Sequence, residues 1–268
     1  MTAALAHRVD GQGEPLLLLN GGMMSIASWE AIAGPLAARF RVVRCDFRGQ
    51  LLSPGQPHGE LEGHAADVAA LLDALGIARA AVIGTSFGAE VALLLAATRP
   101  ERVAALVAAT ATDVATPQLG SGGGVLGAAW RAAGRGGDRR EALALAELLF
   151  YSPAFRASHR DALDLRGAQA EALPPAWFAS AAGLLAALEN LDLRRYLGGI
   201  ACPTLVLAAG LDRVMPPERS RALAAAIPGA SLEVVEGSGH ALVVEHPEEF
   251  VRRCLAFLDS VRVTGGAL

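Results

Sequence analysis

The sequence predicts an α/β fold in which a mostly parallel sheet is flanked by helices and interrupted by a helical cap insertion. Short apolar runs alternate with helical patterns up to residue 109, which is typical of βαβ units. Only helical spacing is found over residues 112–199, and the alternation resumes at residue 203. The length of 268 residues suits either one large α/β domain, with room for an insertion, or two small domains. We therefore assign residues 1–111 and 200–268 to the core, and residues 112–199 to a cap or lid.

The first elements of the core are predicted from apolar runs and helix signals. Residues 16–19 are apolar at every position, as in a strand that is covered on both faces. Helical spacing over 29–39, with Ser28 as the candidate N-cap, separates this strand from a second one at 41–46. The same spacing predicts a helix over 61–75, and a glycine follows it as a stop signal.

The later elements continue this alternation. A strand, a helix and a strand are predicted at 80–85, 87–98 and 103–109. After the insertion, strands are predicted at 203–209 and 231–236, and helices at 218–226 and 247–261. Within the insertion, helices are predicted at 139–151, 153–165 and 176–188. The glycine-rich stretches 120–124 and 134–137 predict a mobile lid.

Charge and composition argue against several classes of function. The net charge of -4, without any block of like charge, argues against a surface that binds nucleic acid. All 23 basic residues are arginine, so Schiff-base chemistry on a lysine is excluded. No apolar run approaches the ~20 residues of a membrane span. Residues 1–10 lack the features of a secretory signal.

The three cysteines are widely spaced and match no metal-ligand pattern. Cys45, Cys202 and Cys254 each lie in or beside an apolar run, so we expect them to be small buried hydrophobic residues. Unpaired cysteines predict a reducing, cytoplasmic compartment.

The pattern Gly-Thr-Ser-Phe-Gly at 84–88 is the strongest indication of chemistry. It joins a predicted strand to a predicted helix, and Gly-x-Ser-x-Gly in this context is a nucleophile elbow. The sharp turn lifts the hydroxyl of Ser86 beyond the sheet, while the flanking glycines let strand and helix approach closely. The alternative is an ordinary strand-to-helix turn in a chain rich in small residues.

Two further polar residues follow the ends of other predicted strands. Asp212 and His240, like Ser86, come just after an apolar run. Ligands of open parallel sheets bind beyond the carboxyl ends of the strands, so the three side chains are expected to lie together.

On these motifs the chain resembles the α/β-hydrolase superfamily, of the single-domain esterase, lactonase and perhydrolase type. The family has the same chain order of serine, acid and histidine. The resemblance covers residues 15–109 and 200–260. Its motifs are Asn20-Gly21-Gly22 with Trp29 downstream, Asp46-Phe47-Arg48-Gly49, Gly84-Thr85-Ser86-Phe87-Gly88, Gly210-Leu211-Asp212 and Gly239-His240.

The resemblance implies a catalytic triad. Ser86 is the expected nucleophile, and His240 is the expected base, which later protonates the leaving group. Asp212 is expected to orient the imidazole and to stabilise its charged form.

The same elements imply two groups that bind the substrate. The backbone N–H of Phe87 is one expected oxyanion donor, because it follows the nucleophile at the elbow. By resemblance the N–H of Gly22 is the second, with Met23 as the alternative. Met23 and Phe87 are also expected to line an acyl pocket.

Other interpretations of these residues stay open. Asp212 could only cap the helix that follows it, and His240 could be a surface turn residue. Asp113 is the alternative triad acid, because some family members place the acid after the strand at 103–109. Arg48 is expected to anchor a loop rather than to bind substrate.

The chain departs from the family pattern in three places, of which Ala89, where the family often has glycine, is a small change. Asn20 stands where the family often has histidine, and we expect its side-chain hydrogen bonds to orient the oxyanion loop. Residues 50–53 replace the usual His-Gly-x-Ser and are expected to shape the pocket differently. No catalytic role is predicted for His64 or His246, which are interpreted as helix-surface or capping residues.

The resemblance therefore implies hydrolysis of a carboxylic ester or lactone through an acyl-enzyme. The apolar loop and the insertion favour an uncharged, partly apolar substrate. No metal or organic cofactor is implied, and neither nucleic acid nor a membrane is an expected partner. The open alternatives are C–C bond hydrolysis or perhydrolysis on the same triad, and a non-catalytic small-molecule receptor. The oligomeric state stays open.

Overall fold

The computed structural model describes residues 5–119 and 124–265 and contains one mostly parallel sheet. Its strands are β1 (His7–Asp10), β2 (Pro15–Leu19), β3 (Arg41–Cys45), β4 (Ala80–Thr85), β5 (Val103–Ala109), β6 (Thr204–Ala209) and β7 (Ser231–Val235). They lie in the order β1-β3-β2-β4-β5-β6-β7. Only β1 runs antiparallel to its neighbour. The predicted fold class is confirmed.

The strand β1 was not predicted from the sequence. It pairs with β3 from His7 opposite Cys45 to Asp10 opposite Val42. It lies at the edge of the sheet and its first three residues are exposed, so it has no apolar run that could predict it.

Helices cover both faces of the sheet and fill the span between β5 and β6. They are α1 (Glu30–Ala37), α2 (Leu61–Ala74), α3 (Phe87–Thr98), α4 (Gly124–Gly134), α5 (Arg139–Phe150), α6 (Pro153–Ser158), α7 (Arg160–Glu171), α8 (Pro175–Ala186), α9 (Arg194–Leu197), α10 (Pro217–Ala226), α11 (Leu242–Glu245) and α12 (Pro247–Gly265). Within the described residues, no helix combines the length and the apolar character that a membrane span requires.

The two hydrophobic cores lie on opposite faces of the sheet, as the continuous apolar run of β2 predicts. Leu17 and Leu19 belong to one core, while Leu16 and Leu18 belong to the other. Successive side chains of a strand point to opposite faces, so a run that is apolar throughout needs cover on both sides.

The helices between β5 and β6 differ in detail from the prediction. The single helix expected over 153–165 is two helices, α6 and α7, and α4 was not predicted. Residues 134–137 were expected to be flexible, but Gly134 ends α4 in a close contact with α8. A Cβ built there would lie 2.8 Å from the backbone nitrogen of Ala179, so glycine permits the approach. The other part of the lid prediction, residues 120–123, lies outside the described residues.

Candidate active site

The elbow at Ser86 forms between β4 and α3 and has strained backbone angles. Ser86 has φ 50° and ψ -126°, a region that L-residues adopt only when their surroundings enforce it. Its N–H donates to the carbonyl of Ala109 on β5 at 2.9 Å. A Cβ on Gly84 would overlap the carbonyl of Gly88, and a Cβ on Gly88 would overlap that of Leu19. Both glycines are therefore required by the close approach of strand and helix.

Three side chains from three strand ends form a hydrogen-bonded chain. The Nε2 atom of His240 lies 2.9 Å from the hydroxyl of Ser86, and its Nδ1 atom lies 2.8 Å from Oδ2 of Asp212. Both His240 and Asp212 are buried. The geometry allows His240 to take the serine proton while Asp212 stabilises the charged imidazole.

Asp212 also holds the turn into α10. The two interpretations of this residue, as a partner of His240 and as a cap for the following helix, therefore each apply to a different oxygen of its carboxylate. Its Oδ1 accepts hydrogen bonds from the backbone N–H groups of Val214 and Met215, each at 2.8 Å. These bonds fix the carboxylate and leave Oδ2 directed at His240.

The alternative acid, Asp113, lies in a different environment. Its Oδ1 accepts a hydrogen bond from Nε of Arg219 at 2.9 Å. Its backbone carbonyl accepts from the N–H of Leu193 at 2.8 Å. Asp113 therefore joins the loop after β5 to α10 and makes no hydrogen bond to His240.

The loop after β2 is held in place by a buried network around Asn20. The Asn20 amide donates to Asp46 at 3.0 Å and to Gln50 at 3.1 Å, and its oxygen accepts from the Trp29 indole. Gln50 in turn donates to the carbonyl of Gly21 at 2.9 Å. The departures from the family pattern at residues 20 and 50 therefore form one hydrogen-bonded unit beneath this loop.

The predicted oxyanion residues Gly22 and Phe87 are neighbours. A Cβ built on Gly22 would lie 3.9 Å from the Cβ of Phe87. As the first residue of α3, Phe87 has no intrahelical acceptor for its N–H. Gly22 and Met23 both line the cavity at Ser86.

The prediction that the Phe87 side chain lines an acyl pocket is wrong. The ring is fully buried and packs edge-on against Phe47, with centroids 5.1 Å apart, and against His64, with centroids 5.0 Å apart. Phe87, which follows Ser86, turns its side chain into the core, which leaves only its backbone available to the site.

The cavity at Ser86 has a volume of about 410 Å³ and a mostly apolar wall. Its wall includes large side chains to which the sequence analysis gave no role at the site, and those from the insertion were missed because the insertion contains no recognisable motif. Phe150 is one of them, and its ring centroid lies 5.2 Å from that of His240. The others of this kind are Met24, Leu119, Leu126, Tyr151, Arg166, Leu185, Val214, Val243 and Val244.

Two residues that were given no catalytic role have structural ones. Arg48 binds the carboxylate of Asp67 with its Nε and Nη2 atoms, at 2.8 and 2.6 Å, and so anchors its loop as expected. His64 is fully buried rather than on a helix surface, and burial lowers its pKa to about 4. Within residues 5–119 and 124–265, no three His, Cys, Asp or Glu side chains are placed to hold a metal ion.

A buried carboxyl group, Glu90, lies on α3 behind the triad. Its Oε1 accepts from the N–H of Thr112 at 2.8 Å, while Oε2 has no hydrogen-bond partner among the described residues. Burial raises the pKa of Glu90 to about 8, and the nearby charge of Asp212 adds to the rise. The folded protein therefore holds Glu90 protonated at neutral pH.

Replacing Glu90 by glutamine is expected to change how stability depends on pH. Between the ordinary pKa of 4.5 and the folded pKa of about 8, Glu90 is ionised only in the unfolded chain. The free energy of unfolding therefore falls as the pH rises through this window. Glu90→Gln lacks this loss, so relative to wild type it should gain roughly 3 kcal/mol between pH 5 and pH 8. Urea unfolding at both pH values measures this, and a constant difference would mean that folded Glu90 is ionised.

Known proteins share this sequence pattern and this fold. A family model described as alpha/beta hydrolase fold matches residues 14–247. RutD of Klebsiella pneumoniae, named as a carbamate hydrolase, is 31% identical over 245 residues, with 89% of each chain covered. The pimeloyl-[acyl-carrier protein] methyl ester esterase of Photobacterium profundum is 29% identical, with 96% of this chain and 100% of the relative covered. The solved structure of MGS-M2, an alpha/beta hydrolase enzyme from a Medee basin deep-sea metagenome library, aligns at a TM-score of 0.89 with 26% identity, covering 95% and 94% of the two chains.

Proposed function

The chain belongs to the α/β-hydrolase fold family and is a hydrolase, and on this premise we propose that it cleaves a carboxylic ester or lactone through an acyl-enzyme. The proposed catalytic residues are Ser86, His240 and Asp212. One observation carries the proposal, namely the hydrogen-bonded chain from the serine hydroxyl through the imidazole to the carboxylate, at 2.9 and 2.8 Å.

In the proposed acylation step, Ser86 Oγ bonds to the carbonyl carbon of the substrate and gives its proton to Nε2 of His240. The charge that develops on the carbonyl oxygen is bound by the N–H groups of Phe87 and Gly22. The imidazolium then protonates the leaving oxygen, whose bond to the carbonyl carbon breaks. The acyl group remains on Ser86.

In the proposed deacylation step, a water molecule takes the place of the leaving group. His240 accepts its proton as the water oxygen bonds to the acyl carbon. Collapse of the second tetrahedral intermediate breaks the bond to Ser86 Oγ, which takes the proton back from His240. The carboxylic acid leaves, and the enzyme is regenerated without an oxidant, a reductant or a cofactor.

The proposed substrate class is supported by the cavity and by the names of the relatives. A cavity of about 410 Å³ with a mostly apolar wall suits a small, partly apolar acyl compound. One relative is named for the hydrolysis of a methyl ester and another for the hydrolysis of a carbamate. Carbamate hydrolysis on the same three residues is the second candidate, because it needs the same attack on a carbonyl carbon.

We propose that residues 112–199 act as a cap over this site. The support is that Leu119, Leu126, Phe150 and Leu185 all contribute to the wall of the cavity at Ser86. We also propose a reducing, cytoplasmic compartment, since all three cysteines are buried and unpaired.

An acyl-enzyme is expected to accumulate when the protein meets an activated ester. Mixing with p-nitrophenyl acetate or butyrate, followed by an acid quench and intact-mass measurement, should give one acyl group per chain, on the peptide that contains Ser86. Release of p-nitrophenol should begin with a burst that matches the enzyme concentration, provided that deacylation is the slower step. Steady turnover with acylation at another residue would refute the proposed nucleophile.

A further inference from the structure

We propose that the substrate is an ester that carries a carboxylate, and that Arg166 and Tyr151 bind this carboxylate at the boundary between two adjoining cavities. The inference rests on the proposed serine hydrolase function. It replaces the uncharged substrate that the sequence led us to expect, because Arg166 lies in the insertion, where no motif identified it.

A second cavity, of about 350 Å³, adjoins the one at Ser86. Met23, Phe150, Tyr151 and Arg166 line both cavities, so these side chains form the boundary between them. A substrate whose carbonyl carbon lies at Ser86 can therefore extend to this boundary.

The boundary contains an unpaired positive charge. Arg166 is the only Asp, Glu, Lys or Arg among the described residues that line the cavity at Ser86. Its Nη1 donates to the hydroxyl oxygen of Tyr151 at 3.2 Å. No carboxylate of the described residues lies within ion-pair distance of Arg166, so its remaining N–H groups are available to a ligand.

Glu147 and Glu245, two acidic groups whose charges act on Tyr151, are engaged elsewhere. Glu147, which lines the second cavity, pairs with Arg160 at 3.3 Å. Glu245 accepts from the backbone N–H of Ser152 at 2.8 Å and from that of Gly239 at 3.2 Å. Neither carboxylate neutralises Arg166.

The two side chains offer the hydrogen-bond donors that a carboxylate needs. The guanidinium is planar and permanently charged, and its parallel N–H groups match the two oxygens of a carboxylate. The hydroxyl of Tyr151 accepts from Arg166 and still has its own proton to donate. Burial raises the pKa of Tyr151, which keeps that proton in place at neutral pH.

Backbone contacts fix Tyr151 next to the proposed triad. The carbonyl of Phe150 accepts from the N–H of Ala241, the residue after His240, at 2.9 Å. The Phe150 ring lies 5.2 Å from the His240 ring, and the Cα of Tyr151 is about 3.8 Å from that of Phe150. Tyr151 of the proposed carboxylate site thus directly follows Phe150, the residue whose ring packs against the imidazole of His240.

Two matched pairs of esters test this inference. Monomethyl adipate differs from methyl hexanoate by a carboxylate in place of the terminal methyl group on the acyl side. In the same way, 4-acetoxybutyrate differs from butyl acetate by a carboxylate on the alcohol side. We expect wild type to have the higher kcat/KM for the charged member of at least one pair. Arg166→Leu should lower that kcat/KM by about 10- to 100-fold, mainly through KM, with little change for the neutral esters. Arg166→Lys should restore part of the loss, because it restores the charge.

Arg140→Leu is the matched control. It removes another exposed arginine of the insertion, but Arg140 pairs with Glu171 and lines neither cavity. Its charged-to-neutral ratio should equal that of wild type. Equal losses on charged and neutral esters in Arg166→Leu, or a preference for the neutral member of both pairs in wild type, would overturn the inference.

Reaction with a fluorophosphonate distinguishes failure of this inference from failure of the proposed function. An adduct on Ser86 together with ester turnover, but without charge preference, refutes the carboxylate site and leaves the serine hydrolase intact. Without either adduct or turnover, the proposed function fails and this inference fails with it.

Discussion

Replacing Ser86 by alanine is expected to lower ester turnover by roughly 10⁴- to 10⁶-fold. The large effect follows from the geometry, because His240 then has no hydroxyl to activate and no acyl-enzyme can form. Wild type should gain the mass of one fluorophosphonate adduct, and Ser86→Ala should gain none. Initial rates on p-nitrophenyl butyrate give the loss of activity in the same samples.

Ser28→Ala is the control for this variant. Ser28 lines the same cavity and is exposed, but its hydroxyl accepts from the backbone N–H of Ser25 and makes no hydrogen bond to His240. It should form the adduct and keep its ester turnover. Full activity in Ser86→Ala would place the nucleophile elsewhere, and the absence of an adduct in wild type would mean that the triad is not assembled.

Replacing Asp212 by asparagine is expected to lower kcat by about 10⁴-fold. Oδ1 can still accept from Val214 and Met215, so the turn should keep its shape. At Oδ2, however, an amide lacks the negative charge that stabilises the imidazolium, and it can hold His240 in the wrong tautomer. Steady-state kinetics, with thermal unfolding to check the fold, measure both effects.

Asp113→Asn separates the two candidate acids. It weakens the contact between the loop after β5 and Arg219, so it should reduce stability slightly and leave kcat near the wild-type value. The reverse result, an inactive Asp113→Asn and an active Asp212→Asn, would assign the acid to the loop after β5.

The sequence by itself determined the parallel core. Strands such as β4 and β5 are short apolar runs. Such a run predicts from the sequence alone that both faces of the strand are buried. The elbow was equally predictable, because the close approach of strand and helix on either side of Ser86 requires glycine at 84 and 88. The apolar runs and the contact between Gly84 and Gly88 depend on neighbours within a few residues, so the local sequence reflects these requirements directly.

Only the tertiary structure decided features that depend on distant residues. Which of Asp212 and Asp113 hydrogen-bonds His240 depends on the position of His240, and the edge strand β1 required β3 as its partner. The orientation of the Phe87 ring required Phe47 and His64 to be in place.

The proposed carboxylate site also depends on residues that are distant in the sequence. Arg166 is one of 23 arginines, and nothing in its local sequence separates it from the others. Its place beside Tyr151 and the cavity at Ser86 arises from the packing of α5 and α7 over the strand ends. The elbow is predicted by residues close together in the sequence, whereas the proposed carboxylate site forms where separate helices meet, so only the folded chain brings its residues together.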